Sequence, residues 1–143
     1  MTSSSVEIYC DGASRGNPGP ASAGAVLFGA GGVVLAEISE CLGIATNNEA
    51  EYQALIFALK KARELGILKV KIRADSQLVI RQLTGHYKVK HPGMKLRHAE
   101  ALALLGGFSG WSAEHVPRGQ NEHADRLANL ALDRASGKEL GGA

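Results

Sequence analysis

Residues 6–20 read VEIYCDGASRGNPGP, and the interpretation of this stretch decides the fold. Val6, Ile8 and Cys10 share one parity and Glu7, Tyr9 and Asp11 the other, which is the alternation of a half-buried strand. A glycine-rich turn follows, so Asp11 is predicted to end the strand and to point away from the Cys10 face. Open α/β sheets bind their ligands at such carboxyl ends. Alone, an Asp-Gly pair does no more than start a turn. Three further acidic residues change that reading, because Glu51, Asp75 and Asp125 each fall where a strand ends or a helix begins. A fold that gathers these four positions holds a cage of carboxylates drawn from distant parts of the chain.

Working outward, the Gly16–Pro20 turn leads into strands over Ser22–Phe28 and Val33–Ile44, joined by the hairpin-like Gly29-Ala30-Gly31-Gly32. The first three strands form an antiparallel meander. Thr46–Leu65 is predicted as a helix with polar capping residues before it and Gly66 behind, and Lys69–Ala74 as a short strand. That crossover sets strand four parallel to strand one. Ser76 caps a brief helix ending near Thr84-Gly85, and His86–Pro92 is a polar connector. A helix over Gly93–Leu105, a fifth strand over Ser109–Val116 and a last helix over Asn121–Ala135 complete the pattern, and Ser136–Ala143 reads as a frayed tail. The predicted class is α/β: a five-stranded mixed sheet, three antiparallel strands followed by parallel strands, with helices on both faces. Residues 1–143 are expected to form one domain with an ordered core over roughly residues 6–135.

A chain of 143 residues can bury a core without disulfides or structural metal. It contains no run of about 18 apolar residues, and Met1–Ser5 lacks the charge and apolar stretch of a signal peptide, so a cytoplasmic location with no membrane partner is expected. Cys10 and Cys41 have no CxxC spacing and read as reduced core thiols. The formal net charge of +2 permits a nucleic-acid partner without indicating one.

On the helix from Thr46, Leu55, Ala58, Leu59, Ala62 and Leu65 form an apolar stripe. Glu51 falls within it, while Glu49 lies opposite with Gln53, Lys60 and Arg63 on a solvated face. A carboxylate on an apolar stripe costs several kcal/mol unless it is paired or metal-bound. The helix alone leaves two roles open for Glu51: that of a metal ligand, or that of a first-turn carboxylate favoured by the helix dipole by about 0.3–1 kcal/mol. Asp75 ends a strand expected to lie beside strand one, which brings it within reach of Asp11. Asp125 flanks the apolar face of Ala124, Ala128, Ala131 and Ala135, whereas Asp133 points off that face as ordinary solvated charge. Hard oxygen ligands without a Cys or His cluster select Mg²⁺ or Mn²⁺ over zinc.

Through DGASRGNPGP, TNNEAEYQAL, ADSQLV and NEHADRLAN, in that order, the chain resembles the type I ribonucleases H over about Val6–Leu132. The resemblance implies endonucleolytic hydrolysis of the RNA strand of RNA/DNA hybrids by a monomer, leaving 5′-phosphate and 3′-hydroxyl ends. The family's acidic tetrad falls on Asp11, Glu51, Asp75 and Asp125, and its glutamate follows the TNN run by three residues, which selects Glu51 over Glu49. It also implies two Mg²⁺ ions, with Mn²⁺ as a possible substitute. Asp11 would bridge them, Asp125 would complete the ion that activates water, and Glu51 and Asp75 would hold the ion at the leaving oxygen. Asn17, Asn48 and Gln77 match positions that read 2′-hydroxyls across the minor groove, and Thr46 matches a phosphate contact to the DNA strand.

Two departures limit the resemblance. Many bacterial members insert a basic protrusion where this chain has only His86–Pro92. Lys88, Lys90, Lys95 and Arg97, with His86, His91 and His98, either replace part of its electrostatics or belong to a solvated loop. The family's mobile catalytic histidine is also missing from Val116–Gln120, where His115 and His123 only flank the position. Arg118 takes its place, and a guanidinium there can stabilise charge on phosphate but cannot act as a base. Met1–Ser5 is too short for a separate hybrid-binding module. Other classes consistent with the motifs are a non-catalytic nucleic-acid-binding domain of the same fold and a ribonuclease H domain of a larger polymerase or fusion protein.

Overall fold

The computed structural model of the protein describes residues 5–136. Five strands, β1 (Ser5–Ser14), β2 (Gly19–Phe28), β3 (Val34–Ala45), β4 (Lys69–Ala74) and β5 (Gly110–His115), form one sheet in the order β3-β2-β1-β4-β5. The β1–β2 and β2–β3 pairs are antiparallel, and β1–β4 and β4–β5 are parallel. The helices are α1 (Asn47–Glu64), α2 (Gln77–Leu83), α3 (Pro92–Leu105) and α4 (Glu122–Ser136). This is the predicted mixed sheet. Ser136, read as the start of the tail, belongs to α4, and the rest of that tail, residues 137–143, lies outside the described residues.

Local chemistry explains the limits of α1. Thr46 caps it in a reciprocal box: the Thr46 hydroxyl accepts from the Glu49 N–H at 3.2 Å, and the Glu49 carboxylate accepts from the Thr46 N–H at 2.9 Å. At the other end Ile67 N–H donates to Ala62 and Gly66 N–H to Arg63, with Gly66 at φ +76, the left-handed geometry that glycine tolerates. The helix therefore stops before Leu65. Leu65, read as part of the apolar stripe, is 46% exposed for that reason, while the buried face widens to include Ala50, Tyr52, Ala54 and Ile56. Ala135 is likewise exposed in the last turn of α4, and Leu132 is buried instead.

Two glycines show how the layers meet. A Cβ on Gly12 would lie 2.3 Å from the backbone of Ala50 and Glu51, and one on Gly24 would lie 2.3 Å from the carbonyl oxygen of Ala124. Gly24 pairs with Asp11 and Gly12 with Ala23, so these adjacent rungs face opposite ways and the sheet is sandwiched between α1 and α4. On the α1 side Val6, Ile8, Cys10, Leu27, Leu55, Leu59, Val70 and Ile72 form the core. On the other side the Ser22 and Ser39 hydroxyls donate to the Ala128 and Leu127 carbonyls at 2.6 Å, drawing α4 onto β2 and β3. Cys41, expected in the core, lies on this exposed edge with its thiol on the Ala131 carbonyl at 3.1 Å; only Cys10 is a core thiol, and both are free.

Candidate active site

β1 does not end at Asp11, as its Asp-Gly pair suggested. It continues to Ser14, because β2 stays in register opposite it from Asp11↔Gly24 to Ser14↔Ala21. What ends there is the parallel ladder, whose last pair is Cys10↔Ala74. Asp11 on β1 and Asp75, the residue after the end of β4, are therefore the next positions beyond the last parallel pair, at the carboxyl edge where such sheets bind ligands. Gly12 lets α1 pass over this edge at Ala50 and Glu51, which delivers Glu51 to it.

The result is a cluster in which Asp11, Glu51 and Asp75 each offer a carboxylate oxygen, all within 4.8 Å of one another. Asp125, in the first turn of α4, lines the same open cavity of about 470 Å³ as these three. Asp11 is only 5% exposed. Burial first, then the neighbouring carboxyls of Asp125 and Asp75, push its carboxyl up to about 8. Burial and the neighbouring Asp11 hold Glu51 well above the usual carboxylate range. Glu51 Oε2 is buried without a hydrogen-bond partner among the described residues. An orphaned carboxylate oxygen beside two others is costly by itself and is offset by a divalent cation. The donors suit a hard cation, since the one nearby sulfur, Cys10, is buried with its thiol pKa pushed up.

Asn121 is a residue that the sequence reading took only as the start of a helix. It is 1% exposed and joins three of the acidic segments. Its Nδ2 donates to the Cys10 carbonyl at 2.9 Å and to Asp75 Oδ1 at 3.4 Å, and its own carbonyl accepts from the Asp125 N–H at 3.1 Å. A polar residue before an apolar helix signals a cap, but nothing local signals these distant partners.

The remaining predicted residues divide. Arg118 lines the cavity, its Nη2 3.9 Å from Asp125 Oδ1 and its side chain 81% exposed. His115 ends β5 outside the cavity lining, and His123 pairs with Glu37 at 2.5 Å beside a separate cavity with Tyr9 and Phe28. Asn48 lines the acidic cavity. Asn17 lies outside the lining and accepts from the Asn47 N–H at 3.0 Å, Gln77 turns its amide oxygen to Arg81 Nη2 at 3.1 Å, and the Thr46 hydroxyl serves as the α1 cap. Of the basic residues in the connector and α3, His91 caps α3, His98 bonds the Gln82 carbonyl and Arg97 pairs with Glu100, while Lys88, Lys90 and Lys95 are exposed. Asp133, read as solvated charge, pairs with Arg15 at 2.6 Å.

Fold and site together define an α/β domain with an acidic edge whose carboxylates could hold a metal ion. A family model described as reverse transcriptase-like matches residues 9–131. The chain is 52% identical to ribonuclease HI of Halobacterium salinarum over 91% of its own length and 65% of that protein's, and 48% identical to bifunctional protein Rv2228c of Mycobacterium tuberculosis over 92% and 36%. It thus spans about two thirds and about one third of these relatives. A solved structure of LC11-RNase H1 in complex with an RNA/DNA hybrid is similar at a TM-score of 0.87 and 41% identity, covering 91% of this chain and 98% of that one. The chain belongs to the ribonuclease H-like family.

Proposed function

We propose that this protein is an endoribonuclease that hydrolyses the RNA strand of RNA/DNA hybrids, leaving 5′-phosphate and 3′-hydroxyl ends. The observation that carries this is the convergence of Asp11, Glu51, Asp75 and Asp125 from four elements onto one open cavity, with a buried Glu51 oxygen unpaired. LC11-RNase H1, similar in fold and sequence, was solved with such a hybrid bound.

Asp11, Glu51, Asp75 and Asp125 would hold two Mg²⁺ ions, with Mn²⁺ as substitute. Bound there, the ions supply a nucleophile from water near neutral pH and neutralise charge on the scissile phosphate. Asp11, the least exposed of the four carboxylates, would serve both ions. Asn121 sets the spacing of the strand edge, Asp75 and the α4 start. Arg118, exposed and unable to give up its proton, offers a fork of donors to the scissile or departing phosphate. Asn48, which lines the cavity, would read 2′-hydroxyls together with Asn17 and Gln77, and Thr46, at the amino end of α1, would take a phosphate.

All four carboxylates come from one chain, so a monomer suffices, and residues 1–143 are read as one catalytic domain. A cytoplasmic location fits two free cysteines, and no described helix is long and apolar enough to cross a membrane. The test is a gel with a hybrid labelled on either strand and an all-DNA duplex, in Mg²⁺, Mn²⁺ and EDTA. Cutting confined to the RNA strand and abolished by EDTA is expected. Equal cutting of both duplexes, or cutting in EDTA, would refute the reading.

A further inference from the structure

We propose that Arg15 is a substrate-binding residue whose guanidinium, oriented by Asp133, takes a backbone phosphate of the bound polynucleotide a few nucleotides from the scissile one. This rests on the hybrid-cleavage reading above. Among the described residues lining the acidic cavity, Arg15 and Arg118 are the only basic ones. A site with four carboxylates repels a polyanion unless cationic side chains flank it, so these two arginines bear on where the strand can lie.

Their anchors lie along one helix. Arg118 sits against Asp125 and Arg15 against Asp133. These are eight residues apart (133 − 125), or about 12 Å of α4 at about 1.5 Å per residue. One strand carries a phosphate about every 3.4 Å of duplex axis, so that span corresponds to roughly three or four nucleotides. Asn129, one turn beyond Asp125, lines the cavity between the two anchors, and its Nδ2 donates to the Asp125 carbonyl.

Unlike Arg118, Arg15 is held. Its side chain is 35% exposed against 81% for Arg118. Its loop is tied from several sides: Arg15 N–H donates to the Pro20 carbonyl at 2.8 Å, Ser14 Oγ donates to the Ala45 carbonyl at 2.9 Å, and Asn17 accepts from Asn47 at 3.0 Å. Gly19 packs so tightly under the loop that a Cβ there would lie 2.6 Å from the Arg15 carbonyl oxygen. A half-exposed ion pair contributes little to stability. Its effect here is to fix a planar fork of five donors, of which Asp133 engages one nitrogen and the rest stay available to an anion.

The test is steady-state cleavage of a hybrid from about 50 to 200 mM KCl by wild type, Arg15→Ala, Arg15→Lys and Asp133→Asn, each checked for folding by its melt. Arg15→Ala should raise KM about three- to tenfold while kcat falls less than twofold. The slope of log(kcat/KM) against log[salt] should become shallower by about one, the signature of one lost phosphate contact. Arg15→Lys should recover the slope but only part of KM, since a point charge replaces the fork. Asp133→Asn should raise KM with the slope unchanged. Wild-type KM and slope in a folded Arg15→Ala, or a loss confined to kcat, would overturn the inference while leaving hybrid cleavage standing. Failure of the wild type itself to cut hybrids would remove the reading beneath it.

Discussion

The side-chain amide of Asn121 donates to the main-chain carbonyl of Cys10 at 2.9 Å, fastening the start of α4 to the strand residue that precedes Asp11. Both partners are buried, and the bond spans 111 positions of sequence. Asn121→Ala strands a buried carbonyl, so unfolding free energy should fall by about 1–3 kcal/mol. Because the same amide reaches Asp75, activity or cation affinity should fall by about ten- to a hundredfold, the scale of lost outer partners of metal ligands. Chemical denaturation and Mg²⁺-dependent rates check both. An Asn121→Ala variant with wild-type rates at low Mg²⁺ would show that the bond does not position the carboxylates.

At Gly24 the backbone of α4 lies close against the sheet. In Gly24→Ala the new methyl would meet backbone atoms of Ala124 and Ala128 at 2.3 and 2.5 Å, which cannot swing aside as a side chain can. The helix must shift, and with it Asp125. A loss of about 1–3 kcal/mol is expected from overpacking, together with a marked drop in rate. Gly119→Ala, with nothing within 4 Å of the added carbon, should leave the melting temperature nearly unchanged. Equal melting temperatures for the two variants would contradict the close approach.

These relationships also show what could and could not be read from the sequence. Parity placed Asp11 on its face and helical spacing set Glu51 apart from Glu49, because both depend on local periodicity; the further choice of Glu51 by the TNN run rests on the family resemblance. Gly12, however, reads locally as a turn. In the structure it lies within β1 and is a glycine because the backbone of Ala50 and Glu51 passes over it. Leu65 reads as buried because periodicity carries no sign of where a helix ends. Asn121 and the Arg15–Asp133 pair stayed out of view for one physical reason: their partners meet only when the chain closes, 111 and 118 positions apart.

Without cations the carboxyl cluster opposes folding at high pH. The Asp11 carboxyl is raised from 3.8 to about 8 in the folded chain, chiefly by burial. The folded state therefore binds more protons than the unfolded one between these values, and stability from this group is complete below the unfolded value and lost as pH rises through the folded one. In EDTA the melting temperature of the wild type should fall relative to Asp11→Asn as pH goes from about 5 to about 8.5. Saturating Mg²⁺ should raise the wild-type value at the upper pH much more than that of Asp11→Asn. A wild-type minus Asp11→Asn difference that does not change with pH would contradict the raised value.

Arg118 lies beside Asp125, while His115 and His123 lie outside the cavity. Arg118→Ala should lower kcat roughly ten- to a thousandfold, as for one lost transition-state donor, with Arg118→Lys intermediate. The pH–rate profile should keep its shape, because a guanidinium does not titrate in this range. His115→Ala and His123→Ala should stay near wild type. A histidine variant that loses more rate than Arg118→Ala, together with a limb near about pH 6.5, would move the role to that histidine.

The account depends on four particular carboxylates binding the cations that cut RNA, and α1 offers an internal control. Glu51 offers a carboxylate oxygen to the cluster and has a buried oxygen unpaired, whereas Glu49, two residues away, closes the cap with Thr46, whose backbone N–H holds its carboxyl below the usual range. Glutamine can fill the same cap position. The decisive measurement is Mg²⁺ binding by calorimetry and hybrid cleavage, side by side, for wild type, Glu51→Gln and Glu49→Gln. Glu51→Gln should lose cleavage by orders of magnitude and bind Mg²⁺ more weakly, with Glu49→Gln within about twofold of wild type in both. Near-wild-type cleavage by a folded Glu51→Gln, or the reverse ranking of the two variants, would contradict the account.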